Sequence, residues 1–248
     1  MILITGASSG FGAACATAFA KEKKNLLLVA RRADRLKKMQ EALQQQYGVV
    51  VHVATLDVSN RMAVQSFAQT HKDILAQVEI LVNNAGLAKG RDSIQEGKLD
   101  DWDEMIDVNI KGLLYVTHAV LPEMLKKNRG HIINLGSVAG YWAYPKGNVY
   151  SATKFAVRGL SESMRLDLSG TDIRVTEIVP GMAETEFSEV RFGDKDKAKA
   201  IYQGMKALSA ADIAECITWC ANRPAHVNIQ ELVVYPTCQA STSVVHRK

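Results

Sequence analysis

The stretch Ile2-Leu3-Ile4-Thr5-Gly6-Ala7-Ser8-Ser9-Gly10-Phe11-Gly12 decides how the chain is read. An apolar run of strand length stops at Gly6, glycines return at Gly10 and Gly12, and a helical pattern follows to about Glu22. Glycine lets the backbone turn tightly and come close to a pyrophosphate, whose charge then sits at the helix N-terminus. The spacing is TGxxxGxG rather than GxGxxG, and alone it fits either dinucleotide binding or a plain strand-to-helix turn. Its position directly after a predicted strand favours the first. Gly6, Ser8, Ser9, Gly10, Phe11 and Gly12 are therefore candidate cofactor contacts.

Outward from this turn the same alternation repeats. Apolar or β-branched runs at Ile2–Thr5, Leu26–Ala30, Val49–Thr55, Glu79–Val82, His131–Leu135, Ile173–Val179 and Leu232–Tyr235 predict seven strands. Helix-period segments such as Asp34–Tyr47 and Arg61–Ile74 separate them. Continuous apolar strands between helices argue for a parallel sheet covered on both faces, and right-handed crossovers make it doubly wound. No repeat, linker or composition shift divides residues 1–248, so one α/β domain is expected. The longest stretch poor in strand, about 181–209, reads as a lid-like insertion, since functional lids come from such segments.

Composition removes several classes. The 30 Lys and Arg are interleaved with 26 Asp and Glu, a net charge of +4, which does not indicate nucleic acid. Four cysteines, at 15, 216, 220 and 238, form no CxxC pair and share no zinc spacing with the six scattered histidines, so they read as reduced thiols with no metal. No apolar run reaches the 18 or so residues that span a bilayer, and the first twenty residues are broken by glycine and lack a basic leader. A cytoplasmic protein without membrane or nucleic-acid partners is expected.

The end of the second strand reads Leu28-Val29-Ala30-Arg31-Arg32. An NAD site usually places Asp or Glu there to hold the ribose 2′-hydroxyl. Two guanidiniums suit a 2′-phosphate instead, which points to NADP; the other reading is a solvated helix start. A Tyr-x-x-x-Lys pair puts phenol and ammonium on one helix face, where the cation lowers the phenol toward a usable acid or base. The chain has two such pairs. Tyr150/Lys154 opens a helix after the fifth strand, with Ser137 thirteen residues upstream at the strand end. Tyr202/Lys206 lies in a lysine-rich segment with no strand end nearby, and is assigned to a solvated helix face.

Thr5-Gly6-x-x-x-Gly10-x-Gly12, Asn83-Asn84-Ala85-Gly86, Asn109, Ser137, Tyr150-x-x-x-Lys154 and Pro180-Gly181 occur in the order of the short-chain dehydrogenase/reductase family, which the chain resembles from residue 2 to about 235. The resemblance implies a Rossmann-type single domain with strand order 3-2-1-4-5-6-7, commonly a homotetramer. It implies Tyr150 as general base, Lys154 on the nicotinamide ribose and Ser137 on the substrate oxygen. Asn109 would hold a water linking Lys154 to solvent, unless it back-bonds within its helix. Asn84, Ala85 and Gly86 would lie beside the adenosine half, Asp57 and Val58 against adenine, and Pro180 and Gly181 at the nicotinamide. Asp57 could instead cap the next helix.

The stretches Gly147-Asn148-Val149-Tyr150, Glu186-Phe187-Ser188-x-Val190-Arg191-Phe192, Pro224-Ala225-His226-Val227-Asn228-Ile229 and the terminal His246-Arg247 are similar to the NADP-dependent 3-hydroxy acid dehydrogenases within that family. This likeness implies oxidation of small 3-hydroxy acids such as serine, L-allo-threonine or 3-hydroxypropionate, or reduction of the semialdehyde. A carboxylate substrate needs a cation, and Arg191 in the lid segment is the candidate; its other reading is a rim ion pair with Glu186 or Glu189. A broad carbonyl reductase and a non-catalytic dinucleotide sensor are the two other function classes considered.

Overall fold

In the computed structural model, which describes residues 1–248, strand and helix alternate from the first residues onward. In chain order they are β1 (Ile2–Thr5), α1 (Gly10–Lys21), β2 (Leu26–Ala30), α2 (Ala33–Tyr47), β3 (Val51–Thr55), α3 (Arg61–Thr70), α4 (Lys72–Leu75) and β4 (Ile80–Asn83). Then follow α5 (Leu99–Ile106), a π-helical turn (Asp107–Gly112), α6 (Leu113–Lys127), β5 (Gly130–Leu135), a short 3₁₀ turn (Val138–Gly140) and α7 (Asn148–Asp167). β6 (Ile173–Pro180), α8 (Glu186–Phe192), α9 (Lys195–Ala200), α10 (Ala210–Ala221) and β7 (Glu231–Val234) complete the chain.

All seven expected strands form, in one parallel sheet of order β3-β2-β1-β4-β5-β6-β7. Only their ends differ from the sequence reading. β3 begins at Val51 rather than Val49, because Gly48 leaves α2 in a left-handed turn (φ +65°) and the chain needs two residues to reach the sheet. β6 runs on to Pro180, since Val234 on β7 continues the ladder beside it.

The strands alternate their side chains between two cores, as a sheet covered on both faces requires. Leu3, Leu27, Val29, Leu81 and Ile132 pack with Val64, Phe67, Val116 and Val120 from α3 and α6. Ile2, Ile4, Leu26, Leu28, Val82 and Ile133 pack on the other face with Phe19, Leu36 and Ile217 from α1, α2 and α10. Local caps set the helix starts. Asn60 accepts from Ala63 N at the head of α3, and Ser209 and Asp212 form a reciprocal capping box on α10.

Strand order reverses between β1 and its two neighbours, β2 and β4, which opens a crevice above the carboxyl ends of the strands. Thr5 and Asn84 tie its floor. The Thr5 hydroxyl accepts from Asn84 N (3.0 Å) and Ala85 N (2.9 Å), and the Asn84 amide donates to Thr5 O (2.8 Å) and Gly6 O (3.2 Å).

One buried histidine bears on stability. His131 on β5 is 2 % exposed, with Nε2 2.8 Å from the Thr176 hydroxyl. Burial, with the Arg174 charge adding, pushes it down to about 3. Its folded value lies below its unfolded value, so the stability it contributes is present above about pH 6.5 and lost as pH falls. The expected slope is about 1.4 kcal/mol per pH unit below that point. Chemical denaturation at pH 4–7 should therefore fall less steeply on the acid side for His131→Gln than for the wild type; parallel curves would reject the assignment.

Candidate active site

The crevice is a cleft of about 500 Å³ whose floor is the glycine-rich turn. Gly6 (φ +63°) and Gly10 (φ +52°) take left-handed backbone that other residues rarely adopt. A Cβ on Gly12 would meet Gly6 O at 2.5 Å, so the third glycine lets α1 start against the turn. Ser9 sits at the N-cap of α1 without capping it. The first N–H groups of α1 thus keep no side-chain acceptor, and Gly10 and Phe11 line the cleft, as an anion site requires.

Arg32 explains why Ser9 does not cap. Its guanidinium donates to Ser8 Oγ (3.0 Å), Ser9 Oγ (2.5 Å) and Glu186 Oε2 (2.9 Å). Arg35, one turn along α2, holds the same carboxylate at 2.7 Å. Arg31 is more exposed and lies 3.6 Å from Glu104. Both Arg31 and Arg32 line the cleft, so neither is merely a solvated helix start. With no carboxylate at the end of β2, this cradle fits a dinucleotide carrying a 2′-phosphate.

Asp57 and Val58 lie beyond β3 on the same wall. Asp57 does not cap α3, because Asn60 does; its carboxylate accepts instead from Ser59 N (3.0 Å) and Ser59 Oγ (2.6 Å). Buried Val58 wedges against Gly112 of the π-helical turn, where a Cβ would meet it at 2.8 Å. Asn84, Ala85 and Gly86 leave β4 along the cleft. Pro180 and Gly181 border it from β6, with Gly181 N donating to Val234 O (2.7 Å).

The polar centre is built by β5 and α7. Ser137 follows β5, and its Oγ accepts from Ala139 N (3.1 Å), leaving its proton free for another acceptor. Tyr150 stands in the first turn of α7 and Lys154 one turn on, with Nζ 5.9 Å from the phenol ring centroid. The ammonium donates to Leu135 O (2.8 Å), and burial lowers it to about 8, with Glu177 pulling it back up. Burial also holds the Tyr150 phenol above its ordinary value. The sequence reading gave the opposing pull to Lys154. In the structure the Ser137 hydroxyl leads that pull and the Arg191 charge follows, while the Lys154 ammonium, 5.9 Å from the ring centroid, is hydrogen-bonded to the β5 carbonyl.

Asn109 does not back-bond within its own helix. Its side chain accepts from Leu87 N (2.8 Å) and donates to Leu87 O (2.8 Å) and Thr153 Oγ1 (3.0 Å), so it fastens the loop after β4 to α7 beside Lys154. Gly86 lies between them; a Cβ there would meet Asn109 Oδ1 at 3.3 Å and Lys154 Nζ at 3.8 Å.

The segment after β6 forms the remaining wall. Arg191 on α8 donates to Gly90 O (3.1 Å) and to the Tyr144 hydroxyl (2.7 Å). Its guanidinium is 5.6 Å from the ring centroids of both Tyr144 and Tyr150. The rim ion pair does not form: Glu186 is held by Arg32 and Arg35 instead. Tyr202 requires a correction. It does not lie on a solvated helix face, because the chain leaves helix after Ala200 and turns inward. Its hydroxyl sits 2.6 Å from Ser188 Oγ and donates to Ala183 O (2.7 Å), and it lines the cleft while Lys206 is exposed. Ile201-Tyr202, an apolar break in the lysine-rich run just before Gly204, was the available signal. Tyr144 and Arg35 were also missed, as was the pairing of Glu186 with Arg32 and Arg35; only the Arg32-x-x-Arg35 spacing hinted at a shared helix face.

The short chain dehydrogenase family matches residues 1–196, and the chain belongs to it. Among its relatives, NADP-dependent 3-hydroxy acid dehydrogenase YdfG of Escherichia coli strain K12 is 44% identical over 251 residues, covering 100% of both chains. Sulfoacetaldehyde reductase 2 of Chromohalobacter salexigens is 49% identical over 242 residues, covering 97% of this chain and 95% of its own. The closed form of a serine dehydrogenase complexed with NADP+ superposes with a TM-score of 0.92 at 44% identity, covering 100% of this chain and 99% of that one.

The inward tyrosine gives a direct check. Tyr202→Phe strands Ala183 O and Ser188 Oγ, and should cost about 1–3 kcal/mol in chemical denaturation. Lys206→Ala should cost almost nothing, and equal effects would restore the solvated-face reading.

Proposed function

We propose that this oxidoreductase transfers a hydride between NADP and the 3-hydroxyl carbon of a small 3-hydroxy acid, or reduces the corresponding semialdehyde. The observation that carries the substrate class is Arg191, whose guanidinium stands 5.6 Å from the Tyr150 ring centroid on the same cleft as Ser137. A cation beside the proton-transfer group selects an anionic substrate over the neutral ketones of a broad carbonyl reductase. Tyr150 and Lys154 are both present, which disfavours a sensor without catalysis. The names of the similar proteins support the reading: hydroxy acid, serine and sulfoacetaldehyde all pair a reacting carbon with a nearby anion.

NADP supplies or accepts the hydride when bound. The glycine turn with Ser8, Ser9 and Phe11 would hold its pyrophosphate, Arg31 and Arg32 its 2′-phosphate, and Asp57 and Val58 its adenine. Asn84, Ala85 and Gly86 would border the adenosine half, and Pro180 and Gly181 the nicotinamide side. In oxidation Tyr150 takes the hydroxyl proton of the substrate, and in reduction it returns one. Ser137 donates to the substrate oxygen and stabilises charge as it develops. Lys154 steadies the phenolate and the ribose, and Asn109 orders the backbone beside it, where a water would meet solvent.

Residues 181–209 act as the lid, with α8 bringing Arg191 over the site. We infer further a homotetramer in the cytoplasm: exposed Leu114, Phe155 and Leu166 offer apolar surface on α6 and α7, and all four cysteines are unpaired.

The test is nicotinamide absorbance with serine, L-allo-threonine, 3-hydroxypropionate, sulfoacetaldehyde and a neutral ketone. Tyr150→Phe should lower turnover by about 10²–10⁴-fold with NADPH binding retained. Arg191→Met should raise the KM for anionic substrates and spare the neutral one. Equal losses for both would reduce Arg191 to a lid contact.

NADPH and NADH binding, followed by fluorescence titration, test the phosphate site. Arg32→Ala should weaken NADPH by roughly 10-fold or more and leave NADH little changed. Glu186→Gln should act oppositely and tighten NADPH, because it removes an anion that shares the guanidinium. Parallel shifts for the two cofactors would show that Arg32 does not read the phosphate.

A further inference from the structure

The reaction as derived uses no residue of β6 before Pro180, yet β6 carries a fully buried carboxylate. Glu177 is 0 % exposed, and neither of its oxygens has a hydrogen-bond partner. It lies on the α7 side of the sheet, in step with Ile173 and Val175. Its Oε1 fills the space where a Cβ on residue 136 would stand, so glycine is required there. Gly136 separates Leu135, whose carbonyl receives the Lys154 ammonium, from Ser137. The carboxylate therefore backs the short turn that carries both polar partners of the site.

The charges around it are unevenly shared. From α7 come Lys154, Arg158 and Arg165, and from β7 comes Glu231, the register partner of Glu177. Glu231 draws the two arginines outward, at 3.8 and 3.9 Å, and accepts from the Tyr141 hydroxyl, which also feels Glu177. On β5 the register partner is neutral Asn134, whose amide donates to Ser161 Oγ. Lys154 is left with a neutral carbonyl as its only hydrogen-bond partner and with Glu177 as the one acidic group acting on it. A buried ammonium facing only a neutral dipole tends to shed its proton, and a buried carboxylate opposes that.

We propose that Glu177 is a positioning residue for catalysis, acting through Lys154 to keep the lysine charged while Tyr150 is deprotonated. This rests on the proton-transfer roles given above to Tyr150 and Lys154. Burial pushes Glu177 up to about 7 and Lys154 down to about 8, and each moderates the other. Once the Tyr150–Lys154 pair has lost one proton, that proton can remain on nitrogen, which leaves a phenolate, or on oxygen, which leaves an inert neutral pair. A carboxylate behind the nitrogen favours the first arrangement.

The folded value of Glu177 lies above its unfolded value, so its contribution is full below about pH 4.5 and is lost as pH rises through about 7. Glu177→Gln removes that loss. Its melting temperature should exceed that of the wild type at pH 8 and match it at pH 5.

In the same variant the plateau of kcat for oxidation should fall about tenfold, because more of the pair is neutral. The acid limb of the profile should move about one unit to lower pH, because the departed charge no longer holds either proton. Glu177→Asp should return the limb toward its wild-type position. If Glu177→Gln does not fold, Glu177→Met keeps the volume without charge and is read the same way. A variant that is less stable at pH 8 with an unmoved limb would make Glu177 a packing residue and overturn the proposal. The melting arm needs no substrate, and the limb can be measured with any alcohol the wild type oxidises, so an error in substrate class shows separately.

Discussion

The hydrogen-bonded clamp between Thr5 and Asn84 is what the rest of the molecule is arranged around. A parallel sheet whose order reverses beside its first strand must part there, and the parted ends expose carbonyls and N–H groups that need partners. One threonine hydroxyl and one asparagine amide satisfy four of them across β1 and β4. That fixes the glycine turn against the start of the next loop, close enough that a Cβ on Gly6 would meet Ala85 Cα at 2.9 Å. The glycine turn and the wall that leaves β4 are then parts of one edge rather than loops that must find each other.

The polar residues of that edge were legible in the sequence to the extent that their chemistry is local. The glycine turn announces itself because positive φ and close backbone approach leave little choice of residue. The seven strands stand out because a doubly covered parallel strand is apolar without interruption, and only the ends slipped, as with Gly48 before β3. Arg31 and Arg32 were visible as a missing carboxylate. What escaped depends on chain segments far apart in sequence. Tyr202 matched a helical spacing by accident, and it is long-range bonds to Ala183 and Ser188 that turn it inward. Glu177 reads as one acidic letter in an apolar strand, and nothing local says that it faces Lys154 rather than water.

The site also shows how cations are allotted. Arg32 and Arg35 share Glu186, Arg158 and Arg165 lean on Glu231, and Arg191 is satisfied by a carbonyl and a phenol. Only the last of these keeps a full positive charge with no acidic partner. An exposed ion pair contributes little to stability, whereas a half-buried guanidinium held by neutral acceptors retains most of its field for a ligand.

Helix α8 carries Glu186 at its start and Arg191 one residue before its end, and it is only seven residues long. One end is fastened to Arg32 and Arg35 and the other to the Tyr144 and Tyr150 rings. A short helix moves as a rigid rod, so displacement of Glu186 at one end shifts the guanidinium at the other. A ligand that displaced Glu186 from the arginines would therefore also shift the guanidinium beside the phenol, and a coupling of that kind is reciprocal. Such a rod would let seven residues, rather than the whole domain, carry the coupling between the two ends of the cleft.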